Sequence, residues 1–415
     1  MSLIRHIKGK KSSKNMAICG ENLASLAALK AGSGTSGSPM SLEVIYIDPP
    51  YNVGGNQGYR NIWKGRSEKE RDWAGDHGVF LDFMEPRLKI GRSLLADDGI
   101  IFVSICDGEY CRLKILMDQI FGPDNCLGTI IWNKNQGSAG QHMTAVHEYI
   151  LVYAKNAKMC PALVKAKPAA QLMVDKAIKL KNQKLSYKEA QTEFKKWVRE
   201  QKKSGVISSG ESQYRLLHPK TFRPFRGTPS CAQDNPETRY HAPIKPPVTG
   251  KKCGVPSKGW KWKKDTLLKM AEYKTYVVGD GFVIAGKIVY GKDESKIPDK
   301  LQYLDEKMEQ SLPTVITTAY GGDKDLPPGI KFTTPKPVEL IKQLLKAYPR
   351  NDVTVLDYFA GSGATAHAVN ALNEEDGGER SWIMIEEMGS TFHKVLLPRL
   401  KHIDGSEAYG TYETN

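Results

Sequence analysis

Apolar residues in the first 155 positions fall into short runs separated by segments of helical period, the pattern of strands alternating with helices. Met16–Cys19 is a short apolar strand followed by a helical stretch, Glu21–Lys30, and Glu43–Ile47 (EVIYI) is a second strand. A helix is predicted around Val79–Leu95. The turn Asp97-Asp98-Gly99 then feeds a strongly apolar strand, Ile100–Ile105 (IIFVSI). A helix near Glu109–Ile120 precedes two more strands, Gly128–Trp132 and Glu148–Tyr153. The rhythm returns late: helix Pro337–Tyr348, strand Val353–Leu356, helix Ala364–Leu372, strand Trp382–Ile385, helix Phe392–Leu400. Seven strands alternating with helices predict a parallel, doubly wound α/β sheet.

Between these parts, from about 156 to 300, the alternation vanishes, lysine is frequent and prolines cluster at Pro243, Pro246 and Pro247. Ser186-x-x-Glu189 reads as a capping box opening a helix through Phe194, Trp197 and Val198. Val277–Ile288 reads as a hairpin turning at Gly279-Asp280-Gly281. Gly32–Ser38 (GSGTSGS) lacks the closing Gly-Lys-Ser/Thr of a phosphate loop and reads as a linker, and Asn52–Arg66 as an aromatic, glycine-rich loop. Residues 1–155 and 306–415 are therefore expected to build one domain, interrupted by an insertion at 156–305.

Composition sharpens this picture at three points. The chain has 415 residues, 40% hydrophobic and 26% charged, and no apolar run long enough for a membrane span, so a soluble protein is expected. Met1–Lys14 is basic without an apolar stretch, unlike a secretory signal, and seven cysteines without a Cys-x-x-Cys pair suit reduced thiols in a cytosol and no metal site. The net charge of +14 is unevenly placed. Residues 151–300 hold 32 Lys/Arg against 13 Asp/Glu, whereas the rest of the chain is net acidic. A basic block of that density suits either a polyanion partner or a solvated lysine-rich face.

Three motifs carry candidate chemistry. Asp48-Pro49-Pro50-Tyr51 directly follows the strand EVIYI, and ligands of open α/β sheets bind beyond the carboxyl ends of strands. An exocyclic amine is a poor nucleophile because its lone pair is conjugated with the ring. Accepting both amino hydrogens, on the Asp48 carboxylate and the Pro49 carbonyl, would localise that lone pair. The prolines would hold the carbonyl in place, and Tyr51 offers a flat face for an extruded base. The second motif lies in Val353–Ala368 (VTVLDYFAGSGATAHA): a buried strand, Asp357, then Phe359-Ala360-Gly361-Ser362-Gly363 opening a helix. Glycines there admit close approach of a ligand, and Asp357 can pair with an ammonium group. The third is Trp382–Glu387 (WIMIEE), where Glu386 caps a strand and can accept ribose hydroxyls.

The pairing of Asp48-Pro49-Pro50-Tyr51 with Phe359-Ala360-Gly361-Ser362-Gly363 resembles that of amino-methyltransferases acting on DNA. With the catalytic motif first, its order resembles the circularly permuted β class. Further stretches resemble the modification (Mod) subunits of type III restriction systems: YIDPPYNVG, FLDFMEPRL (80–88), MDQIFGPDN (117–125), HEYILVYAKN (147–156), KFTTPKPVELI (331–341) and HAVNALNEEDGGER (367–380). The likeness covers roughly 16–156 and 330–400.

That resemblance implies a seven-stranded, Rossmann-like methyltransferase fold that binds S-adenosylmethionine (SAM) and carries an inserted target recognition domain. It makes Asp48, Pro49, Pro50 and Tyr51 catalytic. It assigns Asp357, Phe359, Ala360, Gly361 and Gly363 to the methionine part of the cofactor, Glu386 to its ribose, and Thr333, Thr334, Pro335 and Lys336 to the border of the same pocket. Gly20-Glu21-Asn22 stands where Gly-Asp is usual, so Glu21 is the candidate for the cofactor adenine. The implied partners are double-stranded DNA with a flipped adenine, a second copy of the chain and a restriction subunit, in a prokaryotic or phage cytoplasm near the nucleoid. Many type III subunits extend past this C-terminus.

Within the insertion, Trp260-Lys261-Trp262-Lys263-Lys264 interleaves aromatics with cations, suiting phosphate contact and base stacking as well as a core strand. Arg223, Arg226 and Arg239 are candidates for guanine edges. No Pro-Cys occurs, so methylation at cytosine carbon-5 through a cysteine nucleophile is unsupported. Glu294-Ser295-Lys296 fits only a fragment of a nuclease motif. The expected function is N6 methylation of adenine in DNA. N4 methylation of cytosine, RNA adenine methylation and a catalytically silent specificity subunit stand as alternatives.

Overall fold

Along each predicted strand, successive apolar side chains divide between two faces, so helices must cover both. The computed structural model describes residues 4–9, 13–32, 41–51, 75–138, 142–232, 239–271, 275–405 and 409–414. The loop expected at Asn52–Arg66, and all of Gly32–Ser38 but its first residue, lie outside the described residues. The chain divides into two compact units, residues 1–164 with 311–415, and residues 165–310.

In the first unit, β1 (Ile4–Gly9), β2 (Met16–Cys19), β3 (Leu42–Ile47), β4 (Leu95–Ile105), β5 (Cys126–Ser138), β6 (Ala145–Ala154), β7 (Val315–Thr317), β8 (Thr354–Asp357), β9 (Ser381–Glu386) and β10 (Gly410–Thr414) form one sheet. Among the described residues it has ten strands in the order β1-β10-β2-β9-β8-β3-β4-β6-β5-β7. The seven strands expected from the sequence lie side by side at its centre. The additional three, β1, β10 and β7, extend its edges. From β10 to β4 neighbouring strands run parallel, β6 is antiparallel to both β4 and β5, and β1 is antiparallel to β10.

Val44, Tyr46, Ile100, Phe102, Ile150 and Val152 face one helical layer, formed by α4 (Val338–Ala347), α5 (Ala364–Asp376) and α6 (Leu397–Asp404). Ile45, Ile47, Ile101, Val103, Leu151 and Tyr153 face the other, formed by α1 (Asn22–Lys30), α2 (Gly75–Leu94) and α3 (Asp107–Phe121). In α4, Leu340, Ile341, Leu344 and Leu345 recur at helical spacing and are all buried. Among the described residues no helix is long and apolar enough to cross a membrane.

The order of strands decides where a ligand can go. From β8 the chain moves to β9 on one side, and from β3 it moves to β4 on the other. The pair β3–β8, registered Val44↔Val355 and Ile45↔Leu356, is the point where that direction switches. Ligands of open α/β sheets bind in the crevice beyond the carboxyl ends of the strands at such a switch point.

Among the described residues the second unit contains two packed helices, a short third helix (Lys264–Met270) and an antiparallel sheet of six strands. The capping box stands as read: Ser186 Oγ accepts from Glu189 N–H, and the Glu189 carboxylate accepts from Ser186 N–H. A helix not anticipated from the sequence, Ala170–Asn182, buries Ala170, Met173, Ala177 and Leu180. The hairpin expected over Val277–Ile288 is part of a three-strand meander, because Gly286, at φ 57°, makes a second turn before Ile288–Gly291. One expectation is corrected. Trp260 is wholly buried among Ile244, Leu267 and Tyr290 and donates its indole N–H to the Ala242 carbonyl at 2.9 Å, so it offers no face to a base. Trp260→Ala is expected to cost about 3–5 kcal/mol by leaving a cavity. Urea unfolding of the full chain measures this, and an unshifted midpoint would remove Trp260 from the core.

Candidate active site

The apolar strand β3 ends at Ile47, and Asp48-Pro49-Pro50-Tyr51 emerges at the switch point. Three chain segments meet there. Asp48 and Tyr51 come from β3's end, Glu148 from β6, and Lys336 from the segment preceding α4, where Pro335 and Pro337 restrict the backbone on either side. Lys336 is buried, and its ammonium has three N–H donors. Its Nζ lies 2.9 Å from Asp48 Oδ1, 2.9 Å from Glu148 Oε2 and 2.7 Å from the Tyr51 hydroxyl oxygen. The Tyr51 hydroxyl in turn donates to Asp48 Oδ1 at 2.6 Å. Lys134, on β5, closes the group by donating to Glu148 Oε1 at 3.0 Å.

Burial and charge act against one another here. Burial raises the Asp48 carboxyl above its ordinary value; Lys336 pulls it back, while Glu148 pushes it up again. Burial would also raise Glu148, but Lys336 and Lys134 override it and hold that carboxyl at about 2. Lys336, which burial alone would discharge, is kept charged by Asp48 and Glu148.

The second group forms the turn after β8. Asp357 is buried; its Oδ1 accepts from Phe359 N–H at 3.0 Å and its Oδ2 from the Thr365 hydroxyl at 2.6 Å. Burial pushes its carboxyl up to about 7, with Asp48 and Glu386 adding to the rise. Glu386, at the end of β9, accepts from Gly361 N–H and Met388 N–H, both at 2.9 Å. Gly361 and Gly363 have φ of 50° and 80°, the left-handed region that favours glycine. A Cβ on Gly363 would lie 2.6 Å from Leu396, and one on Gly361 would lie 3.2 Å from the Phe332 ring. Behind the turn the buried Arg399 donates to Ser362 Oγ at 3.0 Å.

Asp48, Tyr51 and Lys336 are thus in direct contact, and Asp357, Phe359, Ala360, Gly361 and Gly363 form the adjoining turn, held by Glu386 from the end of β9. One placement differs from expectation: the Lys336 ammonium is directed to Asp48 and Glu148. Thr333 and Thr334 are exposed, Pro335 is buried, and the neighbouring Phe332 is the side chain that approaches Gly361. Glu21 caps α1, accepting from Leu23 N–H and Ala24 N–H, and is held by Arg87 at 2.5 Å. Glu148, Lys134, Phe332 and Arg399 were not singled out by sequence. Glu148 had the clearest signal, a carboxylate at the head of the apolar run EYILVY.

In the second unit, Lys261, Lys263 and Lys264 are exposed and Trp262 is half-buried. Two guanine-reading candidates are already engaged. Arg223 forms a bidentate pair with Asp305 at 2.8 and 2.9 Å and also meets Glu306, while Arg226 donates to Gln302 and Gln213. Arg239 donates to the Lys261 carbonyl. Glu294 of the nuclease-like triplet is buried and accepts from Thr249 N–H and Oγ–H, a structural bond that ties two separate loops together.

A family model described as DNA methylase, of the N6/N4 type, matches residues 42–395. The chain is 29% identical to the type II methyltransferase M.KpnI of Klebsiella pneumoniae, over 93% of this chain and 84% of that one. It is 30% identical to the type III restriction-modification enzyme StyLTI Mod subunit of Salmonella typhimurium, over 90% of this chain and 52% of that one. With the EcoP15I Mod subunit of Escherichia coli it shares 28% identity over 91% of this chain and 59% of that one. The chain therefore spans little more than half the length of these two Mod subunits.

The Glu148 carboxyl lies below its ordinary value of 4.5, so its contribution to stability is present above that pH and lost as pH falls towards about 2. That contribution is on the order of 3 kcal/mol. Glu148→Gln is expected to flatten the acid limb of a melting-temperature profile, and an unaltered limb would refute the pairing.

Proposed function

The chain belongs to the N6/N4 DNA methylase family, and from that premise we propose that it methylates the N6 amine of adenine in double-stranded DNA within a restriction–modification system. One observation carries the reading: the Asp48 carboxylate stands beside the glycine turn of β8, at the switch point of the sheet. The turn suits SAM. Its two positive-φ glycines face Phe332 and Leu396, and its buried Asp357, held near pH 7, would regain its charge beside an ammonium group. When bound, the cofactor supplies an electrophilic methyl group on a sulfonium.

The chain's own residues then play separate parts. Asp357 would meet the ammonium group and Glu386 the ribose hydroxyls, with Phe359, Ala360, Gly361 and Gly363 lining the turn and Glu21 near the adenine. The Asp48 carboxylate and the Pro49 carbonyl accept the two amino hydrogens, which frees the nitrogen lone pair. Pro50 stiffens the segment, and the Tyr51 ring, anchored through its hydroxyl, presents a face for the flipped base. In methyl transfer from the sulfonium to the amine, Asp48 would be placed to take up the amino proton that is released. Neither a covalent intermediate nor a metal is required. An Asp at the head of the motif, in place of the Ser usual for cytosine N4 methylation, favours adenine.

The basic unit 165–310 serves as the target recognition domain in this reading, with Lys261, Lys263 and Lys264 on phosphates and Trp262 beside them. A restriction subunit and a second copy of the chain are further partners, in a bacterial or phage cytoplasm.

Mapping modified bases on DNA incubated with the protein and SAM tests the activity; N6-methyladenine at a defined sequence is expected. Asp48→Ala should lower methyl transfer by about 10³-fold or more while DNA binding persists. Substantial residual transfer would contradict the role given to that carboxylate. Changing Lys261, Lys263 and Lys264 to Glu should weaken DNA binding and reduce its salt slope by about three contacts. An unchanged affinity would show that these lysines lie off the DNA path.

A further inference from the structure

The Asp48 carboxyl accepts an amino hydrogen most strongly, and can take up the proton released, as the charged carboxylate, since the acid form keeps one oxygen as a donor. Its surroundings oppose that charge. Burial is the largest influence and Glu148, facing Asp48 from β6, adds to it; Asp357 on β8 and the Tyr46 phenol lie near enough to feel Asp48, while the Tyr51 hydroxyl favours the charge by donating to Oδ1. Among the described residues the cation in an ion pair with Asp48 is Lys336, while Lys134 reaches Glu148 instead. Lys336 is held by more than Asp48: Glu148 Oε2 at 2.9 Å takes a second N–H, the Tyr51 hydroxyl takes the third, and prolines flank the residue.

We propose that Lys336 is a positioning residue for methyl transfer, holding the Asp48 carboxylate charged and correctly turned, with Glu148 as the anchor that keeps the ammonium at Asp48. This rests on the amine-methylation reading above. Glu148 thereby gains a role as well. As the second carboxylate it fixes the lysine's direction and balances its charge, so that the ammonium is not drawn away when a base arrives. A Lys336 that instead bordered the cofactor would act on SAM binding, and the two roles separate experimentally.

The test is single-turnover methyl transfer by the full chain across pH, with SAM affinity measured by calorimetry on the same samples. Lys336→Met should cut the rate about 100-fold near pH 6.5, with partial recovery at higher pH as Asp48 ionises unaided. Its acid limb should move up by about one to three pH units. SAM affinity should change by less than about threefold, too little for a lost charged contact. Lys336→Arg should keep the acid limb near that of the wild type. Because Lys336→Met leaves two carboxylates facing one another, the double change Lys336→Met with Glu148→Gln supplies a variant without that repulsion. Its acid limb should fall between those of Lys336→Met and wild type. A pH-independent loss accompanied by weaker SAM binding would overturn the proposal, as would an unshifted acid limb in both variants. Absence of N6-methyladenine from the wild-type reaction would instead sink the underlying function.

Discussion

The parallel pairing of β3 with β8 is the constraint from which the site follows. Neighbouring strands lie about 4.8 Å apart. Once Val44 registers with Val355, the residues leaving both strands must emerge together at one edge. Asp48 and the turn 358–363 come from opposite ends of the chain, yet the sheet leaves them no other arrangement. Everything chemical at this edge, including the electrostatic influence of Asp48 on Asp357, is a consequence of that register. The seven central strands supply the rigid frame, and the two helical layers bury both faces of it.

Within this frame, charge is concentrated where burial makes it costly. Asp48, Glu148, Lys336 and Lys134 form a balanced group, two carboxylates and two ammonium groups, in a partly buried corner. Removing such ions from water costs several kcal/mol each, and well-packed apolar side chains would often be as stable. Stability therefore gives little reason for the group, whereas chemistry gives a direct one. The turn after β8 shows the same economy of means, because Asp357 and Glu386 hold the loop's backbone and also bring two carboxylates to the crevice.

The second unit shows how composition and placement differ. Its basic excess is real in the sequence, but individual residues divide sharply in role. Trp260 and Glu294 are internal supports, Arg223 is neutralised by Asp305 and Glu306, and Lys261, Lys263 and Lys264 remain exposed. Interleaved aromatics and lysines allowed both a stacking surface and a core strand. Burial of Trp260 selected the core for that residue, and Trp262 packs half-buried against the same cluster.

The sequence by itself determined the seven central strands, the layered α/β class and the three motifs, because period and strand–turn–helix signals are encoded by residues close together in the chain. It left out β1, β7 and β10: IRHIKG, VIT and GTYET are short or polar, and they become strands only by pairing with an edge that already exists. The partner of Asp48 was equally hidden. Nothing in the spacing of Asp48, Glu148 and Lys336 signals that they touch. Only the tertiary structure decided it, since contact among distant charges depends on strand order and on what each side chain finds when it is withdrawn from water.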